Sequence, residues 1–365
     1  GLGDVYKRQV FMMLREDIQR WTAALGFTRT QDLVGRADLL EQIAYTDRID
    51  LSPLFRYTPM PDKVTLPAGV GRLVSRPRNF LTMQITRLVG RSAEFGDSEM
   101  TYDDEQVMAM DRALGTHTIG AIERGEIENP PFLHLRFSNS AIPGNGLGAF
   151  IDERMDVLVE GGAQDGVAKC AKGGTVSILK GLNHDGTRLD GSVGKSFAYG
   201  AQGGRFIVQG NADSRACIRL SGADVVFGGE IRTPLRDELG ALGARANLKG
   251  FACEYMTSGR VIILGDPGPW MCAGMSGGVV YQRVQPEMGL TEAAIRRRIA
   301  EGATVELFAL DDEGLSDVTA LLTAYIDTLC ANNQPETARR IENLRANPRQ
   351  HFVMLAPPSR YRLPN

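Results

Sequence analysis

The sequence predicts a mainly β chain that folds as a β-solenoid between α-helical flanks. Three observations support this prediction. Glycine is concentrated in the middle of the chain, six short aliphatic runs in that stretch share one pattern, and clear helical patterns lie near the two ends. A β-sandwich with glycine-rich hairpins is the alternative, but sandwiches rarely keep so constant a period.

The middle of the chain carries a repeat. Of 42 glycines, 28 lie between Gly144 and Gly278. Small residues followed by alternating aliphatics recur in RMDVLV (154–159), GGTVSI (173–178), GGRFIV (203–208), GADVVF (222–227), SGRVII (258–263) and SGGVVY (276–281). Their starts lie 19, 30, 19, 36 and 18 positions apart, where 30 is one unit plus a polar insert and 36 is two units.

An underlying period of about 18 or 19 positions is typical of a solenoid. One coil of that length holds three short strands with corners between them. Glycine suits the corners, because the chain there needs positive φ and close backbone packing. The inward aliphatics of successive coils would stack into one narrow core.

The flanking segments follow helical patterns. Residues 10–25 have Leu14, Ile18, Trp21 and Leu25 on one face, and Gly26 stops the helix. Residues 56–100 predict an irregular connector. Further helices are predicted at 291–301, at 316–332 with Ser316 as N-cap, and at 335–346 with Pro335 in the first turn.

Composition excludes several classes of function. The net charge of −3 and the pI near 5.9 do not suit a nucleic-acid or anionic-membrane partner. No apolar run is long enough for a transmembrane helix, and no secretory signal is recognisable. The five cysteines (Cys170, Cys217, Cys253, Cys272 and Cys330) contain no C-x-x-C, which argues against a disulfide framework or zinc site and favours the cytoplasm.

The first nine residues, GLGDVYKRQ, match nothing downstream. We interpret them as a non-native leader of translated adaptor sequence and expect the native chain to extend upstream.

The stretch GSVGKS (191–196) resembles the end of a phosphate loop. That motif needs a first glycine at 189, where Leu189 stands, and a helix after it. The following SFAYGAQGG is too rich in glycine to begin a helix. We therefore predict that its glycines form a turn and that Lys195 is a solvated corner residue.

Other candidate groups also favour structural roles. The insert residues Asn183, His184 and Asp185 suggest a solvated loop more than a catalytic dyad or metal arm. Cys253 and Cys272 lie one period apart, so they could stack as core thiols or form a weak metal or redox pair. A carbohydrate-active β-helix enzyme would need exposed carboxylates or aromatics along one face of the coils. Asp165, Asp213 and Asp224 do not align into such a face in the repeat register. No catalytic, cofactor-binding or metal residue is predicted.

The stretch GFACEYMTSGRVIILGDPGPWMCAGMSGGVVY (250–281) resembles the C-terminal GXGXG domain of the glutamate synthase large subunit. Cys272 and Ala273 stand where that family has Gly-Ala. Further similar segments are 23–40, 110–122, 135–165, 199–212 and 336–357. Segments 182–192 and 230–246 are set apart as inserts of unknown role.

The resemblance implies a right-handed parallel β-helix (GXGXG solenoid) and a division of the chain. Residues 10–55 would be the helical tail of an FMN-binding synthase barrel, 56–130 a connector, 131–285 the β-helix and 286–365 a C-terminal helical tail, after the leader at 1–9.

The resemblance also implies a function. The family reductively transfers the glutamine amide nitrogen to 2-oxoglutarate, a step of ammonia assimilation. FMN and an iron–sulfur cluster would lie upstream of this chain, which would brace the amidotransferase and FMN domains and be inactive alone. Electrons would come from a small FAD/NAD(P)H reductase subunit or ferredoxin. The alternative is a standalone, non-catalytic GXGXG scaffold subunit of an oxidoreductase complex.

Overall fold

The structure, a computed structural model, describes residues 2–56, 79–104 and 106–358. The chain forms two compact units, residues 1–76 and 77–365. In the first unit, helix α1 (Leu2–Ala24) extends the predicted helix towards the N-terminus, and Gly26 follows it with φ of +83°. Short 3-10 turns follow at Thr30–Leu33, Ala37–Leu39 and Ser52–Phe55.

The second unit contains twelve strands and seven helices among its described residues. The strands are β1 (Glu99–Asp104), β2 (Phe132–Ala141), β3 (Met155–Gly161), β4 (Thr175–Leu179), β5 (Gly181–Leu182), β6 (Arg188–Leu189), β7 (Arg205–Val208), β8 (Ser221–Phe227), β9 (Ser258–Ile263), β10 (Val279–Arg283), β11 (Glu306–Ala309) and β12 (Phe352–Ala356). The helices are α2 (Phe80–Phe95), α3 (Thr116–Glu123), α4 (Leu242–Arg245), α5 (Glu292–Arg296), α6 (Asp312–Ala331), α7 (Pro335–Ala346) and α8 (Pro348–His351).

One ten-stranded sheet organises this unit. Its order is β1-β2-β3-β4-β7-β8-β9-β10-β12-β11. All neighbours from β1 to β10 are parallel, whereas β12 is antiparallel to both β10 and β11. The polar insert forms the small antiparallel hairpin β5–β6.

The predicted fold class, a mainly β right-handed parallel β-helix (GXGXG solenoid), is wrong. The structure is an α/β fold with 31% helix and 22% strand around the mostly parallel sheet. Three strands per repeat unit were expected, and each unit has one. The rest of a unit contributes at most single-residue bridges, such as those joining Ala163, Val193, Ala212 and Leu248. Left-handed residues occupy the turns, and positive φ cannot continue a strand.

The repeat itself predicts the strand pairing at four of five steps; at the last step the aligned runs start 18 positions apart, whereas the paired residues lie 19 apart. Successive strands pair through residues that are 19, 30, 19, 36 and 19 positions apart, in the series Val157, Val176, Phe206, Val225, Val261 and Val280. These pairings keep each inward aliphatic beside the inward aliphatic of the next strand. A shift of one residue in the register would turn the side chains of that strand to the other face of the sheet.

Both faces of the sheet are buried. One face packs on the turn segments through a core that includes Val157, Phe206 and Val261. The other face packs on α6 and α7, where Ile207 and Ile262 belong to one core with the helical side chains. Burial on both faces explains the runs of consecutive aliphatics, since a parallel sheet covered on both sides needs no polar alternation.

The helical flanks differ in detail from the prediction. Helix α7 has the predicted bounds, with Pro335 in its first turn. Helix α6 begins earlier, because Asp311 and not Ser316 caps it by accepting from the Gly314 N–H. The predicted helix at 291–301 shortens to α5, capped by Thr291. The connector predicted as irregular over 56–100 contains α2; residues 57–78 lie outside the described part.

We predict that Gly268→Ala destabilises the protein much more than Gly186→Ala. Both glycines have positive φ, of +71° and +81°. A Cβ at Gly268 would overlap the carbonyl oxygen of Leu248, whereas one at Gly186 would meet no atom within 4 Å. Urea unfolding should show a loss of about 1 kcal/mol for Gly186→Ala and about 3 kcal/mol or more for Gly268→Ala. Equal losses would contradict the packing described.

Candidate functional site

Each of six repeat units contains a five-residue turn in which the first, third and fifth residues have positive φ. We call these segments the alternating turns. They are Gly146–Phe150, Gly166–Cys170, Ser196–Gly200, Arg215–Arg219, Phe251–Tyr255 and Trp270–Gly274, and their positive φ angles lie between +52° and +80°. Main-chain hydrogen bonds of 2.7 to 3.0 Å join each turn to the next.

The middle residues of the alternating turns point into the core. They are all small, namely Gly148, Ala168, Ala198, Cys217, Cys253 and Cys272, and all six are buried. The prediction that Cys253 and Cys272 stack as core thiols is confirmed, and Cys217 occupies the equivalent position one turn before Cys253. A hydrogen bond with Cys217 and burial raise the pKa of the Cys253 thiol, and burial raises that of Cys272.

The first and fifth residues of the later turns form an aromatic and cationic surface. The Arg215 guanidinium lies 6.0 Å from the ring centre of Phe251, and the Phe251 and Trp270 rings stack with centres 4.9 Å apart. Beside them, Arg219 lies 5.4 Å from the Tyr255 ring centre. We call these five residues the aromatic–arginine ladder. Trp270 and Tyr255 remain 53% and 49% exposed.

The ladder is held at a conformational cost. Its five residues have φ between +54° and +64°, a region that costs a side chain with a Cβ about 1–2 kcal/mol and glycine almost nothing. Tyr, Trp and Arg dominate the energetics of protein interfaces. The exposure and residue types of the ladder make it the candidate docking surface of this domain. Sequence reasoning missed the ladder because its members are scattered along the chain from Arg215 to Trp270, although the repeat period aligns them.

The phosphate-loop-like segment forms part of this turn system. Gly191 and Ser196 have positive φ, and Ser196 begins an alternating turn in place of a helix. Lys195 is exposed, as predicted, and its backbone N–H donates to Asp165 at 2.8 Å. No helix N-terminus is present here to bind a phosphate group.

The remaining candidates do not converge on one site. Asp185 accepts from the Thr187 hydroxyl and N–H in the β5–β6 turn, while His184 is exposed. Asp213 accepts from the backbone N–H of Ser214. Asp224 pairs with Arg260, which also pairs with Asp317 of α6, on the sheet face that packs on α6.

The buried cysteines are poor candidates for an iron–sulfur site. An iron–sulfur cluster needs several thiolates, and the high pKa of buried Cys253 and Cys272 keeps them as neutral thiols. Within the described ranges, no three His, Cys, Asp or Glu side chains are grouped to hold a metal ion. The described helices also include none with the length and apolarity to cross a membrane.

We predict that glycine is tolerated better than alanine at Trp270. Both substitutions remove the ring, but only glycine relieves the positive φ of +60°. Trp270→Gly should therefore be at least as stable as Trp270→Ala in urea unfolding. At exposed Gln202, whose φ is not positive, Gln202→Ala should be more stable than Gln202→Gly by about 0.5–1 kcal/mol in free energy of unfolding. The same order at both sites would contradict the left-handed assignment.

We predict that thiol accessibility follows the turn geometry. Exposed Cys330 should react rapidly with a thiol reagent at neutral pH, and half-buried Cys170 more slowly. The buried thiols of Cys217, Cys253 and Cys272 should react only after denaturation. Cys330→Ser should remove only the fast phase of thiol modification. Rapid modification of more than two thiols in the native protein would contradict the burial of Cys217, Cys253 and Cys272.

Comparison with known proteins places this geometry in a family. The sequence model of the GXGXG motif family matches residues 87–234 and 241–358. The literal pattern Gly-x-Gly-x-Gly occurs once in the chain, at 144–148, where it leads into the first alternating turn.

Curated relatives are glutamate synthases. The glutamate synthase [NADPH] large chain of Bacillus subtilis is 29% identical over 284 residues, covering 74% of this chain and 17% of the relative. The chloroplastic ferredoxin-dependent glutamate synthase of Spinacia oleracea is 26% identical over 74% of this chain and 16% of its own length. The glutamate synthase [NADH] of Schizosaccharomyces pombe is 30% identical over 74% of this chain and 12% of its own length.

The match therefore spans less than a fifth of each of these relatives. The match to the family model covers the strands of the sheet, the alternating turns and the C-terminal helices. The chain belongs to the GXGXG family, and its GXGXG domain is of the type found in glutamate synthases.

Proposed function

We propose that this chain is the bracing part of a glutamate synthase, which reductively transfers the glutamine amide nitrogen to 2-oxoglutarate to give glutamate. The observation that carries the proposal is the aromatic–arginine ladder, a strained docking surface on a domain of glutamate synthase type. The bracing domain would hold the amidotransferase and FMN domains in a fixed relative position.

The architecture supports a mechanical role. A parallel sheet buried on both faces, with turns tied by main-chain hydrogen bonds, resists bending because every repeat unit contacts its neighbours. The ladder lies on the turns, so its side chains are fixed relative to that framework. A rigid surface loses little conformational entropy when a second domain docks.

The proposal assigns the redox chemistry to other parts of the enzyme. FMN and an iron–sulfur cluster would be bound there, and electrons would arrive from a small FAD/NAD(P)H reductase subunit or from ferredoxin. The names of the three relatives include NADPH, NADH and ferredoxin forms. We propose a cytoplasmic location, which suits five free cysteines.

The coding sequence upstream of residue 10 tests the assignment. We expect an open reading frame that continues into a flavin-binding barrel and three clustered cysteines. A start codon close to residue 10, with no such sequence before it, would favour a standalone scaffold subunit and overturn the proposal. The chain expressed alone should be colourless and inactive, and bound flavin absorbance would contradict this.

The full gene product tests the docking surface. The double substitution Tyr255→Ala, Trp270→Ala should lower glutamine-dependent glutamate formation by about tenfold or more, because exposed Tyr and Trp anchors contribute heavily to domain contacts. Phe150→Ala is the matched control, since Phe150 is also exposed and left-handed but lies outside the ladder. Unchanged activity in the double variant, with the fold intact, would exclude the ladder as the docking surface.

A further inference from the structure

A cleft lies where the two inserts meet the end of the sheet. It has a volume of about 410 Å³. The first insert contributes Leu189 and Asp190, and the second contributes the continuous run 230–237 together with Leu242 and Arg245. The unmatched gap in the family comparison, residues 235–240, falls inside the second insert. The cleft is therefore built by the segments that the repeat does not need.

A buried ion-pair network fixes the second insert to the body of the domain. Arg298 has a side-chain exposure of 1% and donates to Asp266 at 2.5 and 2.9 Å. It also donates to both carboxylate oxygens of Asp237, in the insert, at 2.9 Å. These bonds lower the pKa of Asp237 to about 2, so this carboxylate stays ionised and paired at neutral pH. The ion pairs of Arg298 with Asp237 and Asp266 thus fix the second insert, which forms one wall of the cleft.

The floor of the cleft is a fixed amide network. Gln209 is 1% exposed; its carbonyl oxygen accepts from the Lys180 backbone N–H at 2.7 Å, and its amide donates to Gln334 at 2.6 Å. Asn247 donates to Asn211 at 2.7 Å and to the backbone oxygen of Glu230 at 3.1 Å. The side-chain amides of Gln209 and Asn247 already form hydrogen bonds within the protein. Contacts to a ligand would therefore come from the cationic side chains.

Positive charge remains uncompensated in this cleft. Arg297 and Arg298 together balance Asp237 and Asp266, so the lining leaves Lys180, Arg232, Arg236 and Arg245 against Asp190 and Glu230. Glu230 already pairs with Arg340 at 3.5 Å. In the described structure, Lys180 is half-buried and its ammonium forms no hydrogen bond or ion pair. Burial lowers the pKa of Lys180, and the Arg232 and Arg340 guanidiniums lower it further, while the Glu230 carboxylate opposes them.

We propose that the cleft between the two inserts binds a small anion bearing phosphate or carboxylate groups, with Lys180 and Arg232 as its cationic contacts. Burial of the Lys180 ammonium is unfavourable, and Glu230, the carboxylate that favours its charged form, is already paired with Arg340. A bound anion would supply further negative charge. Guanidinium groups bind phosphate and carboxylate oxygens in pairs. The volume lies within the range of small-molecule sites. This site is separate from the docking role and does not depend on it.

Titration calorimetry on the purified chain tests the site, with sodium phosphate and sodium citrate as probes and sodium chloride at matched ionic strength as the reference. We expect saturable binding of phosphate, citrate or both to the wild type. Lys180→Met should weaken it by about tenfold or more, because a charge-assisted contact is lost. Lys195→Met is the matched control, since Lys195 is exposed and lies outside the cleft.

Arg232→Gln provides a second variant at an exposed position, where folding should be unaffected. It should weaken binding without changing the urea midpoint. Preference for phosphate or for citrate would identify the anion class. Equal heats for all three salts, or wild-type affinity in both Lys180→Met and Arg232→Gln, would overturn the proposal.

Discussion

The main-chain hydrogen bonds between alternating turns are the interaction on which the rest of the structure depends. In the first five turns, the first and fifth residues donate their N–H groups to the following unit, for example Cys170 to Tyr199 at 2.7 Å. In the last five turns, the middle residue donates to the preceding unit, for example Ala198 to Val167 at 2.8 Å. Positive φ at alternate residues turns successive N–H groups to opposite sides. Each unit is therefore bonded to both neighbours outside its strand as well as through it.

This backbone pattern gives the middle positions of the turns, their outer positions and the inserts different roles. Middle positions must be small, because they point into a core already filled by the strand aliphatics; Ala, Gly and Cys satisfy this. The first and fifth positions lie towards solvent and can hold large residues, although a residue with a Cβ is strained at positive φ. The aromatic–arginine ladder occupies these positions. The inserts lie outside the turn system and line much of the cleft for which we propose anion binding. The scaffold, the proposed docking surface and the cleft thus occupy separate parts of the repeat.

The repeat predicted the six strands β3, β4 and β7 to β10 and the register of all but the last pair, because its short period acts through local spacing. It also predicted helix α7 and the structural role of the GSVGKS turn. It failed on the fold class, because it expected three strands in each unit, whereas much of each unit forms a turn with residues of positive φ, including non-glycines such as Ala198 and Cys217. Neither the ladder nor the cleft was predicted. The repeat period aligns Arg215, Phe251 and Trp270, but their stacking depends on the turn geometry. Lys180 and Arg232 line one cleft only because the inserts fold together against the sheet.

Amide hydrogen exchange at the middle residues of the alternating turns tests the central claim most directly. Turn amides exposed to water exchange quickly, whereas amides in a cooperative hydrogen-bonded framework exchange only when that framework opens. The account predicts that Ala198, Cys217 and Cys253 are protected as strongly as the strand residues Val225 and Val261. Exchange of these turn amides at the rate of the β5–β6 hairpin tip, while the strands stay protected, would contradict it.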